Sequence, residues 1–181
     1  MFLVTGGTGF IGKRVVAQLL SKNIQVIATD INTDNEKDSF EKYLSTKGVS
    51  IKDLELLELD ISSKENLSKI FKNYKISNII ACGYQMSNLI DNNPIKGAEV
   101  NIVGMTNLFQ AVVDNKIHRM VFPSSQSVYG KSSKLFNDKP IHEDDYCGLQ
   151  HQLFTYAVMK LLNEFMAKKY VSMHNVSIAC T

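Results

Sequence analysis

Residues 1–14 read MFLVTGGTGFIGKR, an apolar run from Phe2 to Val4 that breaks at once into four glycines, Gly6, Gly7, Gly9 and Gly12. Gly6, Gly9 and Gly12 stand three residues apart in what reads as the first strand-to-helix turn. A side chain there obstructs a positive φ angle, and it obstructs the approach of a pyrophosphate to the amides and positive end of the next helix. The last glycine lets helix and strand pack closely. A tight turn without a ligand has the same composition, so the glycines alone leave both readings open. Their place, ending strand one and opening helix one, favours phosphate.

Outward from that turn, strand-like runs recur near 2–5, 24–29, 54–59, 76–82, 119–123 and 175–180, with helical patterns between them. Ile11, Val15, Val16, Leu19 and Leu20 form one stripe; Val100, Val103, Asn107, Leu108, Ala111 and Val112 form a second. The third runs Leu153, Phe154, Ala157, Val158, Leu161, Leu162, Phe165, Met166. Alternating strand and helix predicts an α/β fold, a doubly wound parallel sheet with helices on both faces and a ligand at the carboxyl ends of the strands. Residues 130–150 lack periodicity and read as a surface loop near that edge.

Two strand ends carry acids. The second, IQVIATD, ends in Asp30, about twenty residues past the glycines, where a carboxylate accepts from an adenosine ribose and repels a 2′-phosphate. NAD is therefore expected over NADP, the plainer alternative for Asp30 being a solvated loop acid. The third ends LELDI, placing Asp60 and Ile61 where an adenine would lie.

The length of 181 residues suits one domain, residues 1–181, and a composition of 44% hydrophobic and 21% charged residues is that of a globular chain. A net charge of +2 with no basic stripe argues against nucleic-acid or membrane partners. Cys82, Cys147 and Cys180 form no CxxC pair and leave an odd count, so neither a metal site nor a disulfide framework is expected, and a reducing cytoplasm fits. A strand from residue 2 leaves no room for a signal peptide, and no apolar run reaches membrane-spanning length, so the expectation is a soluble cytoplasmic protein.

The fifth strand leads into VFPSSQSVYG, and the third stripe carries YAVMK, with Tyr156 and Lys160 four apart on one helix face, beside the apolar stripe rather than within it. A nearby ammonium favours a phenolate, and a serine hydroxyl can polarise a substrate oxygen while the tyrosine moves its proton. By itself such a pair also arises by chance on an amphipathic helix.

Taken together, TGGTGFIG at 5–12, Asp30, LDI at 59–61, VNIVGMTNL at 100–108, SSQSVYG at 124–130 and YAVMK at 156–160 resemble the extended short-chain dehydrogenase/reductase superfamily, in its NAD-dependent epimerase/dehydratase branch. The order of these motifs is that family's along essentially the whole chain. The resemblance implies a Rossmann-like fold, NAD as cofactor and a catalytic Ser125, Tyr156 and Lys160, the lysine also binding the nicotinamide ribose and lowering the tyrosine pKa. It implies that Gly6, Gly9, Phe10, Ile11 and Gly12 hold the pyrophosphate, Asp30 the adenine ribose, and Asp60 and Ile61 the adenine. Ala81, Cys82, Gly83 and Ser124 would line the cofactor, and Asn101 would brace the site from within or else be a solvated helix residue.

Departures from the family pattern shape the functional expectation. The fourth strand ends IIACGYQM, without the usual His and paired alanines. Gln126 and Ser127 stand where dehydratases carry an Asp-Glu pair, which favours an epimerase or reductase of nucleotide sugars. Relatives continue well past VSIACT into a substrate domain, so a truncated enzyme is expected, or a short protein using the fold as a non-catalytic NAD-binding regulator. Family members often form homodimers through two helices, for which Leu108, Val112, Leu162 and Met166 are candidates unless they are core.

Overall fold

The computed structural model describes residues 1–130, 139–142, 145, 152 and 154–181. Leu153 of the third stripe, Cys147 and most of the 130–150 loop reading lie outside the described residues.

Strands β1 (Phe2–Thr5), β2 (Val26–Asp30), β3 (Leu54–Glu58), β4 (Asn78–Ala81), β5 (Arg119–Phe122) and β6 (Ile178–Cys180) form one parallel sheet in the order β3-β2-β1-β4-β5-β6. Between them run α1 (Gly12–Leu20), α2 (Thr33–Thr46), α3 (Lys64–Asn73), α4 (Ser87–Asn92), α5 (Pro94–Ala98), α6 (Met105–Asp114) and α7 (Thr155–His174). The α/β expectation and all six strands match, with β2 and β4 starting two residues, and β6 three residues, later than the periodicity suggests.

Burial on both faces explains why the strands read as continuous apolar runs. In β1, Leu3 joins the core under α3, α6 and α7, while its neighbour Val4 joins the core under α1 and α2, with Phe40 and Leu44. Each such side chain contributes about 1.5–3 kcal/mol on leaving water. Phe109, fully buried and ring-packed against Phe122 and Tyr170, fixes α6 to the sheet; truncating it to alanine would cost about 3–5 kcal/mol.

The strand order reverses between β1 and β4, each of which has a parallel neighbour on its other side. Crossovers leave the sheet in opposite directions at that point, opening a crevice at the carboxyl ends of the two strands. The β1–α1 turn sits there.

Two stripes differ from expectation. Residues Pro94–Ala98, a π-helical stretch Glu99–Gly104 and Met105–Asp114 run on with helical backbone at both junctions, and the wider turn rotates the face so that Asn101 and Gly104 point inward while Val103 is exposed. On α7 the apolar stripe is only partly the buried face: its members Val158, Leu162 and Phe165 are exposed while Ala157 is buried and Met166 packs against the core, and Met159, Lys160, Asn163 and Ala167, outside the stripe, are buried. Lys160 thus lies on the inward face rather than beside it, because α7 lies along strand ends that offer polar partners. Leu108 and Val112 are core, so they cannot serve as outward dimer contacts. Ile11 precedes α1 and is exposed.

Among the described residues no helix is long and apolar enough to cross a membrane.

Candidate cofactor site and catalytic cluster

The glycines of the first turn are there for different reasons. Gly6 has φ +64°, and a Cβ on it would stand 2.5 Å from the Gly83 nitrogen, so the turns after β1 and β4 touch backbone to backbone. Gly7 presses on β2, where a Cβ would meet that of Ala28 at 2.8 Å, and Gly12 closes the turn, its Cβ position only 2.0 Å from the Gly6 carbonyl oxygen. Gly9 is the exception: a Cβ would meet the Gly6 oxygen at 3.2 Å and nothing else within 4 Å. Protein packing therefore demands Gly6, Gly7 and Gly12, while the small residue at 9 chiefly keeps the turn open to solvent. No side chain caps α1 and no acid occupies its first turn; Lys13, Arg14 and Val15 donate their amides to the carbonyls of Gly9 and Ile11, so it is the positive end of the helix that suits an anion. Phe10 and Ile11 stand exposed beside it. The residues present fit a dinucleotide pyrophosphate.

Asp30, at the tip of β2, is tied to the same turn. Its Oδ2 accepts from Thr8 Oγ1 at 2.6 Å and Thr8 N at 3.3 Å, and its Oδ1 accepts from Ile31 N at 2.9 Å. A cleft of about 110 Å³ opens alongside, bounded by Gly6, Asp30, Asp60, Ile61, Gly83 and Tyr84 with Ile31, Leu59 and Val100. Asp60 accepts from Ser62 N, Ser62 Oγ and, at 2.8 Å, Lys96 Nζ. Burial pushes its carboxyl pKa up, but the hydrogen bonds from Lys96 and Ser62 outweigh this and hold it below the usual range. Ile61 is itself mostly buried, as is Ala81, whose side chain belongs to the core. A larger groove of about 400 Å³ between α3 and α6 includes no strand-end residue.

Across the switch point lies a second cluster. Ser125 opens the 3₁₀ turn Gln126–Tyr129 that follows β5, its Oγ accepting from Ser127 N at 3.2 Å and Ser127 Oγ at 2.9 Å. Ser124 donates its hydroxyl to the Glu164 carboxylate and its amide to the Thr181 carbonyl at 2.7 Å. Lys160 reaches the end of β5 and donates to the Pro123 carbonyl at 2.6 Å. Burial lowers its pKa to about 8, against the opposing pull of Cys82 and Glu164. Cys82, at the end of β4, is raised by burial to about 11, so its thiol stays protonated at neutral pH.

Tyr156 and Lys160 share the start of α7, with the ammonium 5.7 Å from the Tyr156 ring centroid. Among the described residues no hydrogen bond links Ser125 to Tyr156. Asn101 is fully buried rather than solvated: its side chain accepts from Gln85 N at 2.8 Å and donates to Gln85 O at 3.0 Å, fastening the loop after β4.

Sequence reasoning missed Thr8, Lys96, Tyr84 and Asn163. Asn163 donates to Tyr84 Oη at 3.1 Å and to the Asn101 carbonyl at 2.9 Å. Its signal was present, a polar residue three positions after Lys160 on the same helix face. Tyr84 lay in the quoted departure after β4, where only contacts could reveal its place. Nothing in the sequence marks Lys96 as reaching Asp60, 36 positions away.

Comparison with known proteins agrees with this architecture. The bifunctional UDP-glucose 4-epimerase and UDP-xylose 4-epimerase 1 of Pisum sativum is 32% identical over 135 residues, covering 74% of this chain and 39% of that protein. The solved UDP-Glc/GlcNAc 4-epimerase from Campylobacter jejuni superposes with a TM-score of 0.82 at 20% identity, over 99% of this chain and 51% of that one. An L-threonine dehydrogenase from Clostridium difficile gives 0.77 at 21% identity, again over 99% and 51%. The chain spans about half the length of the curated relatives it matches. The sequence profile of the NAD-dependent epimerase/dehydratase family matches residues 2–181, and the chain belongs to that family of enzymes.

Proposed function

We propose that residues 1–181 form the NAD-binding domain of a nucleotide-sugar epimerase or a related oxidoreductase acting at a carbinol carbon. The observation that carries this is Asp30, held by Thr8 of the glycine turn at the mouth of the cleft, where its charge suits a ribose diol and opposes a 2′-phosphate. Gly6, Gly9, Phe10, Ile11 and Gly12 would hold the pyrophosphate. Asp60 and Ile61 would flank the adenine, with Cys82, Gly83, Ser124 and Ala81 around the rest and Asn101 bracing the loop.

NAD supplies a hydride acceptor when bound. Tyr156 would take the hydroxyl proton and return it, Ser125 would steady the substrate oxygen, and Lys160 would hold the nicotinamide ribose and favour the Tyr156 phenolate. The pea epimerase named above supports a nucleotide sugar as substrate. The outward apolar stripe Val158, Leu162 and Phe165 supports a homodimer through α7.

Calorimetry with NAD⁺ and NADP⁺ tests the cofactor assignment, with preference for NAD⁺ expected and binding of neither overturning it. A ligand at a hundred times its Kd adds about 2.7 kcal/mol of stability, so a thermal shift gives a second readout. In the whole enzyme, Tyr156→Phe should abolish hydride transfer while sparing NAD binding.

A further inference from the structure

The loop after β4 carries a phenol whose surroundings come from several elements. Lys160 Nζ lies 3.6 Å from the centroid of the Tyr84 ring, nearer than to the ring of Tyr156. The Tyr156 ring meets Tyr84 edge-on, centroids 5.6 Å apart and planes at 90°. Asn163 holds the Tyr84 hydroxyl, and Asn101 clamps the backbone of Gln85, the next residue, through both its amide and its carbonyl. The ring is therefore met at its edge by Tyr156 and at its hydroxyl by Asn163, and the loop that carries it is held by Asn101.

Lys160 is 3% exposed, and the hydrogen bond described for its ammonium is the one to the Pro123 carbonyl. An ammonium carries three donors, and one carbonyl compensates only part of the hydration it loses. The electron-rich face of an aromatic ring attracts such a cation, most strongly where water is excluded. The other titratable groups facing it are Cys82 at the end of β4, Glu164 on its own helix and Tyr156.

We propose that Tyr84 is a positioning residue for Lys160, its ring face holding the ammonium between the ends of β4 and β5, where it can meet the cofactor ribose. This rests on the reading of Lys160 as a cofactor-facing group. The residue acts through its ring rather than its hydroxyl, so phenylalanine should replace it and leucine, apolar but without a ring, should not.

The test is the pH dependence of Lys160 modification by trinitrobenzenesulfonate, located by peptide mass mapping, in the full chain and in Tyr84→Phe and Tyr84→Leu. A midpoint near 8 is expected in the wild type and in Tyr84→Phe. A cation that loses its ring is less stable charged, so in Tyr84→Leu the midpoint should fall by about one pH unit, a roughly tenfold effect. NAD⁺ should bind that variant roughly tenfold more weakly, with affinity kept in Tyr84→Phe.

An unchanged midpoint in Tyr84→Leu overturns the proposal. So does a rise toward the ordinary lysine value, which would mean that the ring only keeps water out. Should Tyr84→Leu fail to fold, the wild type decides: Lys160 ε-methylene protons shifted upfield by the ring support the contact, and unshifted ones refute it. If the wild type does not bind NAD⁺, the proposed function fails while the amine titration still judges Tyr84.

Discussion

Thr8 Oγ1 donates to Asp30 Oδ2 at 2.6 Å, joining the glycine turn to the tip of β2. A hydrogen bond to a charged group contributes about 1.5–3 kcal/mol, less where it is partly exposed as here. Thr8→Val keeps the shape and removes the donor. The expected result is a fivefold to tenfold rise in the NAD⁺ dissociation constant, by roughly 1–1.4 kcal/mol, with Tm lowered by only a few degrees. Calorimetry beside a thermal melt separates the two effects.

Gly9 and Gly12 should behave oppositely when changed to alanine. At 12 the new Cβ would fall 2.0 Å from a backbone oxygen that cannot move without breaking the turn, and a loss of at least about 3 kcal/mol is expected. At 9 the new Cβ would stand 3.2 Å from that same oxygen, a misfit of only a few tenths of an ångström that residue 9 can relieve by shifting towards the open side, so denaturant unfolding should register less than about 1 kcal/mol. NAD⁺ binding should nonetheless weaken tenfold or more, because the methyl enters the space a pyrophosphate needs. Equal destabilisation of both variants would contradict this division.

Asn101→Leu leaves the amide and carbonyl of Gln85 without the partners they now have. Each buried group left unpaired costs about 1–3 kcal/mol. Unfolding should show a loss of about 2–4 kcal/mol, and hydrogen exchange should show the Gln85 amide losing its protection.

Lys160 has a pKa near 8 in the fold against an ordinary value of 10.5. Between those values the unfolded chain binds more protons than the native one, so stability rises with pH from about 8 to about 10.5, and the cost of the buried charge is fully present at pH 7. Lys160→Met should therefore be more stable than wild type at pH 7, by about 1–2 kcal/mol, with the advantage shrinking as pH climbs through that window. Denaturant melts at pH 7 and pH 10 check the sign.

Leu162→Lys places a charge in the exposed stripe formed with Val158 and Phe165. If the chain pairs through α7, sedimentation should show dimer in the wild type and monomer in the variant, with Tm of the monomer little changed because Leu162 is not core.

The chain order of strand and helix, the glycine turn and the acids at two strand ends were legible because each rests on local rules: a period of two or 3.6, a backbone conformation, a spacing. Periodicity failed on α7 because it counts apolar residues without knowing which side the sheet lies on. Val158, Leu162 and Phe165 outweigh Lys160 and Asn163 in any hydrophobic count, yet the polar pair faces inward. The carbonyls of Pro123 and Asn101 and the Tyr84 hydroxyl await it there, and a hydrogen-bonded polar group is tolerated in the interior. The π-helical stretch had a local effect, exposing Val103 within it while Leu108, Ala111 and Val112 beyond it keep the buried face that the stripe marked.

By itself, then, the sequence determined the α/β class, the switch-point turn and the residues set along the strand ends, because those follow from short-range geometry and from motifs shared with a family. Only the tertiary structure decided why each glycine is small, which face of α7 is buried and that Tyr84 lies against Lys160, 76 positions later in the chain. Such pairings depend on which elements the crossovers bring together, and no local pattern carries that information.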